Sequence, residues 1–247
     1  MTVVVLHRRS LGDLPYGEWL GGDAIVVDSS TTAADSASAT AELAVLSLAS
    51  NTHVTALVAL HPDDQIRAGA LRDRLGLAGQ TRDEAVVGAD AIRAADLLGA
   101  AGVPVVPRAP AATIPDLYRA AHTWGYPLVV RRRRGPERAV VAGLADETAL
   151  RAFARGGLAE GDTAATAGLT VEPETTGPRH HGPGNPATDA ALAVLPAVPG
   201  HPFEVEAVQD ALGTWRVDTV RYTAGDTADA RHLVGAQARR LESAEAV

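Results

Sequence analysis

The sequence predicts an α/β protein that begins with a parallel sheet and continues as an α+β unit. Short apolar runs alternate with helical patterns in the order 3–6 (strand), 24–28 (strand), 37–50 (helix), 54–60 (strand) and 63–75 (helix). This alternation is typical of parallel strands joined by right-handed helical crossovers. Further along, Gly and Pro residues separate helical and strand patterns at intervals that favour an α+β arrangement.

The second unit is predicted to start at residue 89. Gly102 and Pro104 end its first helix, and Gly125 ends another. The turn Gly135-Pro136 separates two strands. The predicted elements are a helix at 89–101, a strand at 103–106, a helix at 114–124, strands at 128–132 and 138–142, and a helix at 146–154.

The last third of the chain divides into a segment without periodicity and a hairpin. Residues 156–200 are rich in Gly, Pro, Thr and Ala, which predicts a linker or a mobile loop. Strands at 203–209 and 215–222 form the hairpin, with Phe203, Val205 and Ala207 on one face, and a helix at 229–242 follows. The predicted domains are 1–88, 89–155, a linker at 156–200, and 201–247.

The composition excludes several classes of protein. All 22 Lys and Arg positions are arginine, and the absence of lysine excludes Walker-A nucleotide-binding proteins, protein kinases and Schiff-base enzymes. Cysteine is also absent, which excludes thiolate nucleophiles. A net charge of -8 and 4% aromatic content argue against nucleic acid as a partner. The apolar start is too short for a leader and no later stretch reaches membrane-spanning length, so we expect a cytoplasmic chain with no membrane partner.

Three short segments, in order, resemble the ATP-grasp superfamily of the actinobacterial carboxylate–amine ligase type. They are residues 71–80 (LRDRLGLAGQ), the helix from Asp90 that ends AAGVP, and residues 125–130 (GYPLVV). The resemblance covers about the first two-thirds of the chain, and the hairpin from Phe203 resembles the first strands of the larger ATP-binding subdomain. It implies a Rossmann-like pre-ATP-grasp domain, an ATP-grasp α+β subdomain and a shortened second ATP-grasp subdomain.

The resemblance also implies a reaction and a nucleotide site. Such enzymes bind Mg·ATP between two subdomains, phosphorylate a carboxylate and let an amine attack the acyl phosphate, so cations around the phosphates carry most of the catalysis. Arg131 lies where the family has its second phosphate lysine, and Arg133 lies in the same arginine run. Glu172 resembles the acid of the hinge strand that holds adenine and ribose. We therefore expect Arg131, Arg133 and Glu172 to contact ATP.

Other positions depart from the family pattern. Ala91 replaces the first phosphate lysine, and the glycine-rich flap is reduced to residues 134–138, which include a proline that lacks an N–H. The only asparagines, Asn51 and Asn185, lie outside the late region where the family holds its two Mg²⁺ ions. The sequence therefore predicts no metal site and no intact catalytic set, and suggests a truncated, degenerate member.

Simpler interpretations exist for each candidate site. The arginine run at 131–134 is also compatible with a solvated strand edge or with a surface for an acidic partner. Adjacent His180 and His181 point apart on most backbones and lack a third ligand at a plausible spacing. Glu204 and Glu206 alternate with apolar residues, as in any half-buried strand.

Three hypotheses follow. The first is a catalytically impaired ATP-grasp paralogue that acts as a nucleotide-binding or partner protein, with a full-length ligase or a second copy of itself as partner. The second is a divergent ligase that uses Arg131 in place of lysine and is completed by a partner chain. The third is a truncated remnant without a ligand.

Overall fold

The chain forms two units that are each assembled from separate segments. The computed structural model describes residues 2–22, 24–30, 39–134, 138–158, 168–223 and 227–238. The first unit combines the chain up to Val86 with Pro196–Pro202 and the segment from Tyr222 on. The second combines Val87–Leu195 with Phe203–Arg221. The domains predicted from the sequence are consecutive segments, whereas each of these units combines separate segments of the chain.

The first unit is built on a parallel sheet, as the alternation of strands and helices predicts. Its strands are β1 (Thr2–His7), β2 (Ala24–Asp28) and β3 (Val54–Ala59), in the order β2-β1-β3. The helices of this unit are α1 (Tyr16–Leu20), α2 (Thr40–Asn51), α3 (Gln65–Leu75), α4 (Arg82–Val87, which ends at the unit boundary) and the last helix, Thr227–Ala238. Two 3-10 turns, Arg9–Leu11 and Pro62–Asp64, follow β1 and β3.

Alternation along β1 places apolar side chains on both faces of this sheet. Val4 and Leu6 lie in a buried cluster with residues of α2 and α3. Val3 and Val5 lie in a second cluster with α1 and the last helix. Because both faces are covered, all six residues of β3 are buried, as expected for a strand of a parallel α/β sheet.

Gly69 on α3 allows a close approach between this helix and the chain that enters α4. A Cβ atom at Gly69 would lie 2.7 Å from the Thr81 carbonyl oxygen and from the Arg82 nitrogen. We expect Gly69→Ala to destabilise the protein by about 1–3 kcal/mol, because backbone atoms must shift. Urea unfolding followed by circular dichroism measures this change.

Gly99, near the end of the helix Ala91–Ala100, is the matched control for Gly69. A Cβ there meets nothing within 4 Å, so Gly99→Ala is expected to stabilise the protein by roughly 0.5–1 kcal/mol through helix propensity. Equal effects of the two substitutions would contradict the proposed steric contact.

The second unit contains two sheets. One has the order β4-β7-β5-β6 and consists of β4 (Ala109–Pro110), β5 (Leu128–Arg132), β6 (Val140–Leu144) and β7 (Leu169–Pro173). The other has the order β10-β9-β8 and consists of β8 (Arg179–His181), β9 (Phe203–Gln209) and β10 (Trp215–Tyr222), whose last residue lies at the boundary with the first unit. The helices are α5 (Ala91–Ala100), α6 (Ile114–Trp124), α7 (Glu147–Phe153), a π turn at Ala154–Leu158 and α8 (Pro186–Val194). The last helix of the chain, Thr227–Ala238, is α9.

Each sheet of the second unit has its own apolar core. Residues of β5, β7, α6 and α7 surround Val130 and Leu117, both fully buried. In the other sheet, Val205 and Ala207 are buried against α5 and α8, and Phe203 packs beside them. The predicted hairpin and its apolar face are therefore confirmed.

Two predicted strands differ from the structure for identifiable reasons. Residues 103–106 form no strand, because Pro104 and Pro107 lack the N–H groups that a ladder needs; Val105 makes only an isolated bridge to Val217. The strand predicted at 138–142 starts instead at Val140, since Arg138 has a left-handed backbone with φ of 44°.

The segment 156–200, predicted as a linker or mobile loop, holds regular structure in its described part, from residue 168 on. It contains β7, β8 and α8. The three residues of β8 are too few to show an alternation, and α8 is built largely of alanine, whose pattern is hard to distinguish from low-complexity sequence. The Asn185 side chain caps α8 by accepting a hydrogen bond from the Ala187 N–H.

Within the described ranges, no helix is long and apolar enough to cross a membrane.

Candidate functional site

Two of the three predicted site residues meet on one face of the sheet that contains β5 and β7. These strands pair antiparallel, with Val129 opposite Glu172 and Arg131 opposite Thr170. Arg131 and Glu172 are therefore diagonal neighbours whose side chains can interact. The Arg131 Nε atom lies 2.7 Å from Glu172 Oε1.

Glu172 is the centre of a group of buried charges. Its side chain is only 2% exposed. Arg138 Nη2 donates a hydrogen bond of 2.8 Å to Glu172 Oε2, and Arg108 Nε lies 3.6 Å from the same oxygen. Arg138 also donates to the hydroxyl of Thr170. Three guanidinium groups thus surround one buried carboxylate.

A second buried carboxylate, Asp218 on β10, connects these groups to the other sheet. Arg179 Nη1 donates to Asp218 Oδ2 at 2.8 Å, and Arg108 Nη2 donates to the Asp218 carbonyl oxygen at 2.7 Å. Arg138 Nη1 lies 3.9 Å from Asp218 Oδ1. Burial by itself raises the pKa of Asp218, but the Arg179 hydrogen bond and the neighbouring guanidinium charges outweigh it and hold the pKa below its usual value.

We call Arg108, Arg131, Arg138 and Arg179 the arginine cluster. Its members face three carboxylates, those of Glu172, Asp218 and Glu206, the last of which forms a close ion pair with Arg179. Burial, together with the charge of Arg138, lowers the pKa of Arg108. The four arginines carry one positive charge more than the negative charge of the three carboxylates that they contact.

Two N–H groups of the arginine cluster have no hydrogen-bond acceptor in the described part of the chain. They are the buried Nε groups of Arg131 and Arg138. The Arg131 group lies close to Glu172 but is not oriented to donate to it. Buried donors without acceptors are uncommon in folded proteins, and these two indicate that the cluster can accept further negative charge.

The third predicted site residue, Arg133, lies apart from this group. Its Nε atom donates to Asp90 Oδ1 at 2.8 Å, and Arg134 Nε lies 3.4 Å from Asp90 Oδ2. Asp90 also caps α5 by accepting hydrogen bonds from the N–H groups of Ile92 and Arg93. Burial by itself raises the pKa of Asp90, but the hydrogen bonds from Arg133 and from the Arg93 N–H, with the charges of Arg133 and Arg134, hold the pKa below its usual value. In this structure Arg133 thus holds the end of β5 to the start of α5.

Asp90→Ala should destabilise the second unit by about 1–3 kcal/mol, because it removes a helix cap and leaves Arg133 without its carboxylate. Asp90→Asn keeps an oxygen acceptor for the cap and should lose less. Asp96→Ala, at an exposed position of the same helix, should change the free energy of unfolding by less than about 0.5 kcal/mol. Urea unfolding curves of the four proteins make the comparison, and a loss as small for Asp90→Ala as for Asp96→Ala would contradict it.

The remaining candidates from the sequence form surface interactions. His180 Nε2 lies 3.1 Å from the Pro183 carbonyl oxygen. Exposed His181 lies 3.7 Å from Glu206, and Glu204 pairs with Arg221 at 2.8 Å. The described residues contain no group of three His, Asp or Glu side chains arranged to hold a metal ion. Of the predicted flap, residues 135–137 lie outside the described ranges.

Sequence reasoning missed Arg108, Arg138, Arg179 and Asp218 as members of this site. The sequence of β10 contains a usable indication, since Asp218 lies between Val217 and the β-branched pair Thr219-Val220, and a buried charge in such a stretch needs a partner of opposite charge. Arg108 precedes a two-residue strand between prolines, where no periodicity exists to place its side chain.

Comparison with solved structures identifies the fold. The chain is similar to the L-amino acid ligase from Bacillus licheniformis, with a TM-score of 0.65 and 15% identity over 92% of this chain and 69% of that one. It is also similar to a RimK domain ATP-grasp protein from Sphaerobacter thermophilus, with a TM-score of 0.61 and 16% identity over 96% and 98% of the two chains. The N5-carboxyaminoimidazole synthetase from Staphylococcus aureus, solved with ADP, gives a TM-score of 0.64 and 13% identity over 97% and 78%.

These neighbours are ATP-grasp ligases and related proteins, and the chain has the ATP-grasp fold. The fold expected from the three short sequence segments is therefore confirmed. No family model and no curated protein matches the sequence.

The residues present do not fit ATP in this structure. The two unpaired N–H groups of the arginine cluster have the chemistry to bind an anion, but Glu172 and Asp218 already neutralise most of its charge. The cavity lined by Arg108, Asp218 and neighbouring apolar residues has a volume of about 10 Å³, room for a single water molecule at most. A triphosphate needs both more space and more uncompensated positive charge.

Proposed function

We propose that this chain is a catalytically impaired ATP-grasp protein that acts through binding. It binds a nucleotide weakly, or it serves as the partner of a full-length ligase. The observation that carries this proposal is the pairing of the predicted phosphate-binding arginines. Arg131 lies against buried Glu172, and Arg133 is bound to buried Asp90.

The electrostatics of phosphoryl transfer support the proposal. Catalysis of this reaction depends on cations that are held ready to neutralise the transferring phosphoryl group. A guanidinium that already contacts a buried carboxylate has part of its charge compensated, and turning it toward a phosphoryl group weakens that buried ion pair. Ala91 adds no charge at the start of α5, where the resemblance places a phosphate lysine.

A turnover assay tests the loss of catalysis. The purified chain is incubated with Mg·ATP and a panel of carboxylates and amines, and phosphate release and amide formation are measured. We expect neither above the background without protein. Robust turnover with any pair of the panel would refute the proposal.

The second candidate function is a divergent ATP-dependent carboxylate–amine ligase, completed by a partner chain. It is favoured by the excess positive charge of the arginine cluster and by its two unpaired N–H groups. In this case Arg131→Ala should abolish activity measured with the partner present, and retained activity would exclude the role of Arg131.

The partner role has its own test. Sedimentation of the chain alone and with a full-length carboxylate–amine ligase should reveal a dimer or a mixed complex. A sharp, cooperative thermal transition of the isolated chain would argue against the third interpretation, a remnant without a ligand.

A further inference from the structure

The second unit consists of two parts that are joined by two short chain segments. We call residues 109–173, which form the β4-β7-β5-β6 sheet with α6 and α7, the inserted module, and the rest of the second unit the frame. The chain passes between them at residues 104–108 and 174–178. Each part has its own apolar core, which includes Leu117 in the module and Val205 in the frame. Parts with separate cores move relative to each other unless other contacts hold them.

A buried ionic network crosses the boundary between the inserted module and the frame. Arg138 of the module donates from Nη1 to the carbonyl oxygen of Asp218 of the frame at 3.4 Å, and the same atom lies 3.9 Å from the Asp218 carboxylate. Arg108, on the first connecting segment, lies 3.6 Å from Glu172 of the module and 3.4 Å from the Asp218 carboxylate. None of these four side chains is more than 7% exposed, so water screens their charges little.

A second ionic contact joins the end of β5 in the module to the start of α5 in the frame. Arg133 and Arg134 lie 2.8 and 3.4 Å from the two carboxylate oxygens of Asp90, whose side chain is buried. The Arg133 carbonyl oxygen also accepts a hydrogen bond from the Ala91 N–H. Although burial raises the pKa values of Asp90 and Asp218, hydrogen bonds and arginine charges hold both below the usual value, so both acids are charged at neutral pH.

We propose that Asp90 and Asp218 are two ionic latches that lock the inserted module onto the frame, and that neutralising them frees the module to move. Breaking a buried ion pair leaves a charge without its partner, so each latch disfavours an open arrangement. This inference goes beyond the proposed function and does not depend on it, because it concerns the orientation of the module and involves no ligand.

The chain supplies a matched set of variants. Asp90→Asn combined with Asp218→Asn removes one negative charge from each latch and keeps the shape of both side chains. Glu147→Gln combined with Glu204→Gln removes the same charge from ion pairs that do not cross the boundary. Glu147 forms its pair within the module, and Glu204 forms its pair within the frame. A general effect of net charge therefore appears in both double variants, whereas only the first double variant breaks the latches.

The test is a distance measurement between two spin labels by pulsed electron paramagnetic resonance. The sequence has no cysteine, so His122→Cys on α6 of the module and Ala193→Cys on α8 of the frame, both at exposed positions, provide the two attachment sites. We expect one narrow distance distribution in the labelled parent chain and a second distance in the double latch variant. The ratio of open to closed molecules should rise at least about tenfold. The control double variant should equal the parent.

Three results would overturn the inference. The first is a broad distribution in the labelled parent chain, which would show that the module is not locked. The second is an unchanged narrow distribution in a double latch variant that circular dichroism shows to be folded. The third is equal broadening in the control double variant. If the double latch variant does not fold, Asp90→Asn and Asp218→Asn are measured singly, and a narrow distribution in both would equally overturn the inference.

Discussion

Glu172→Ala is expected to destabilise the protein by about 3–5 kcal/mol, because it leaves buried positive charges without their counter-ion. Arg131, Arg138 and Arg108 all lie within 3.6 Å of this carboxylate. Removing it exposes three guanidinium groups to one another in a site that excludes most water. Urea unfolding at neutral pH measures the loss.

Glu174→Ala is the matched control for Glu172→Ala. Glu174 lies two residues along the chain and is exposed, so its replacement should change the free energy of unfolding by less than about 0.5 kcal/mol. Glu172→Gln keeps the hydrogen-bond acceptor and should fall between the two. A loss below about 1 kcal/mol for Glu172→Ala would show that the arginines do not depend on this acid.

Arg72→Ala is expected to destabilise the first unit by about 3–5 kcal/mol, through unpaired carbonyl groups and a cavity. The Arg72 side chain is buried, and its Nε and Nη2 groups donate to the Leu57 carbonyl oxygen at 3.1 and 2.8 Å. Its Nη1 group donates to the Gln80 carbonyl oxygen, and its Nη2 group lies 3.3 Å from Gln237 Oε1. Burial lowers the pKa of Arg72 to about 10.

Arg72 is coupled to the last helix through Gln237. The Gln237 amide accepts from the Ala59 N–H and donates to the carbonyl oxygens of Ala59 and Gly200. These contacts join all three segments of the first unit. Arg72→Ala should therefore also increase the rate of hydrogen exchange at the Ala59 N–H. Arg74 lies at an exposed position of α3, and Arg74→Ala should change neither this rate nor the free energy of unfolding. Unchanged exchange at Ala59 in Arg72→Ala would contradict this coupling.

The sequence predicted the parts of the fold that have clear periodicity. The strand Leu128–Arg132, the helix Ile114–Trp124 and the hairpin strands Phe203–Gln209 and Trp215–Tyr222 have the expected bounds. Apolar alternation and glycine stops specify such elements locally. In the sequence, β7 is indicated only through the resemblance of its Glu172 to the acid of a hinge strand. The three-residue β8 depends on a partner distant in the sequence, and local patterns do not identify it.

The candidate site was only partly predictable for the same reason. Arg131 and Glu172 were singled out by resemblance, and their contact follows from strand register. Asp218, Arg108 and Arg179 reach the same site from other segments of the chain and share no sequence motif with Arg131 or Glu172, so only the tertiary structure brings them together. Arg133 shares the arginine run with Arg131, but the strand ends at Arg132 and Arg133 binds Asp90 instead.

Calorimetric titration of the wild-type chain with ATP, with and without Mg²⁺, tests the central claim most directly. If the predicted phosphate-binding arginines are held by internal carboxylates, ATP should bind no more tightly than about 1 mM, and Mg²⁺ should not strengthen it. Binding in the micromolar range that strengthens with Mg²⁺ would show that Arg131 and its neighbours form a working phosphate site, and would contradict the account.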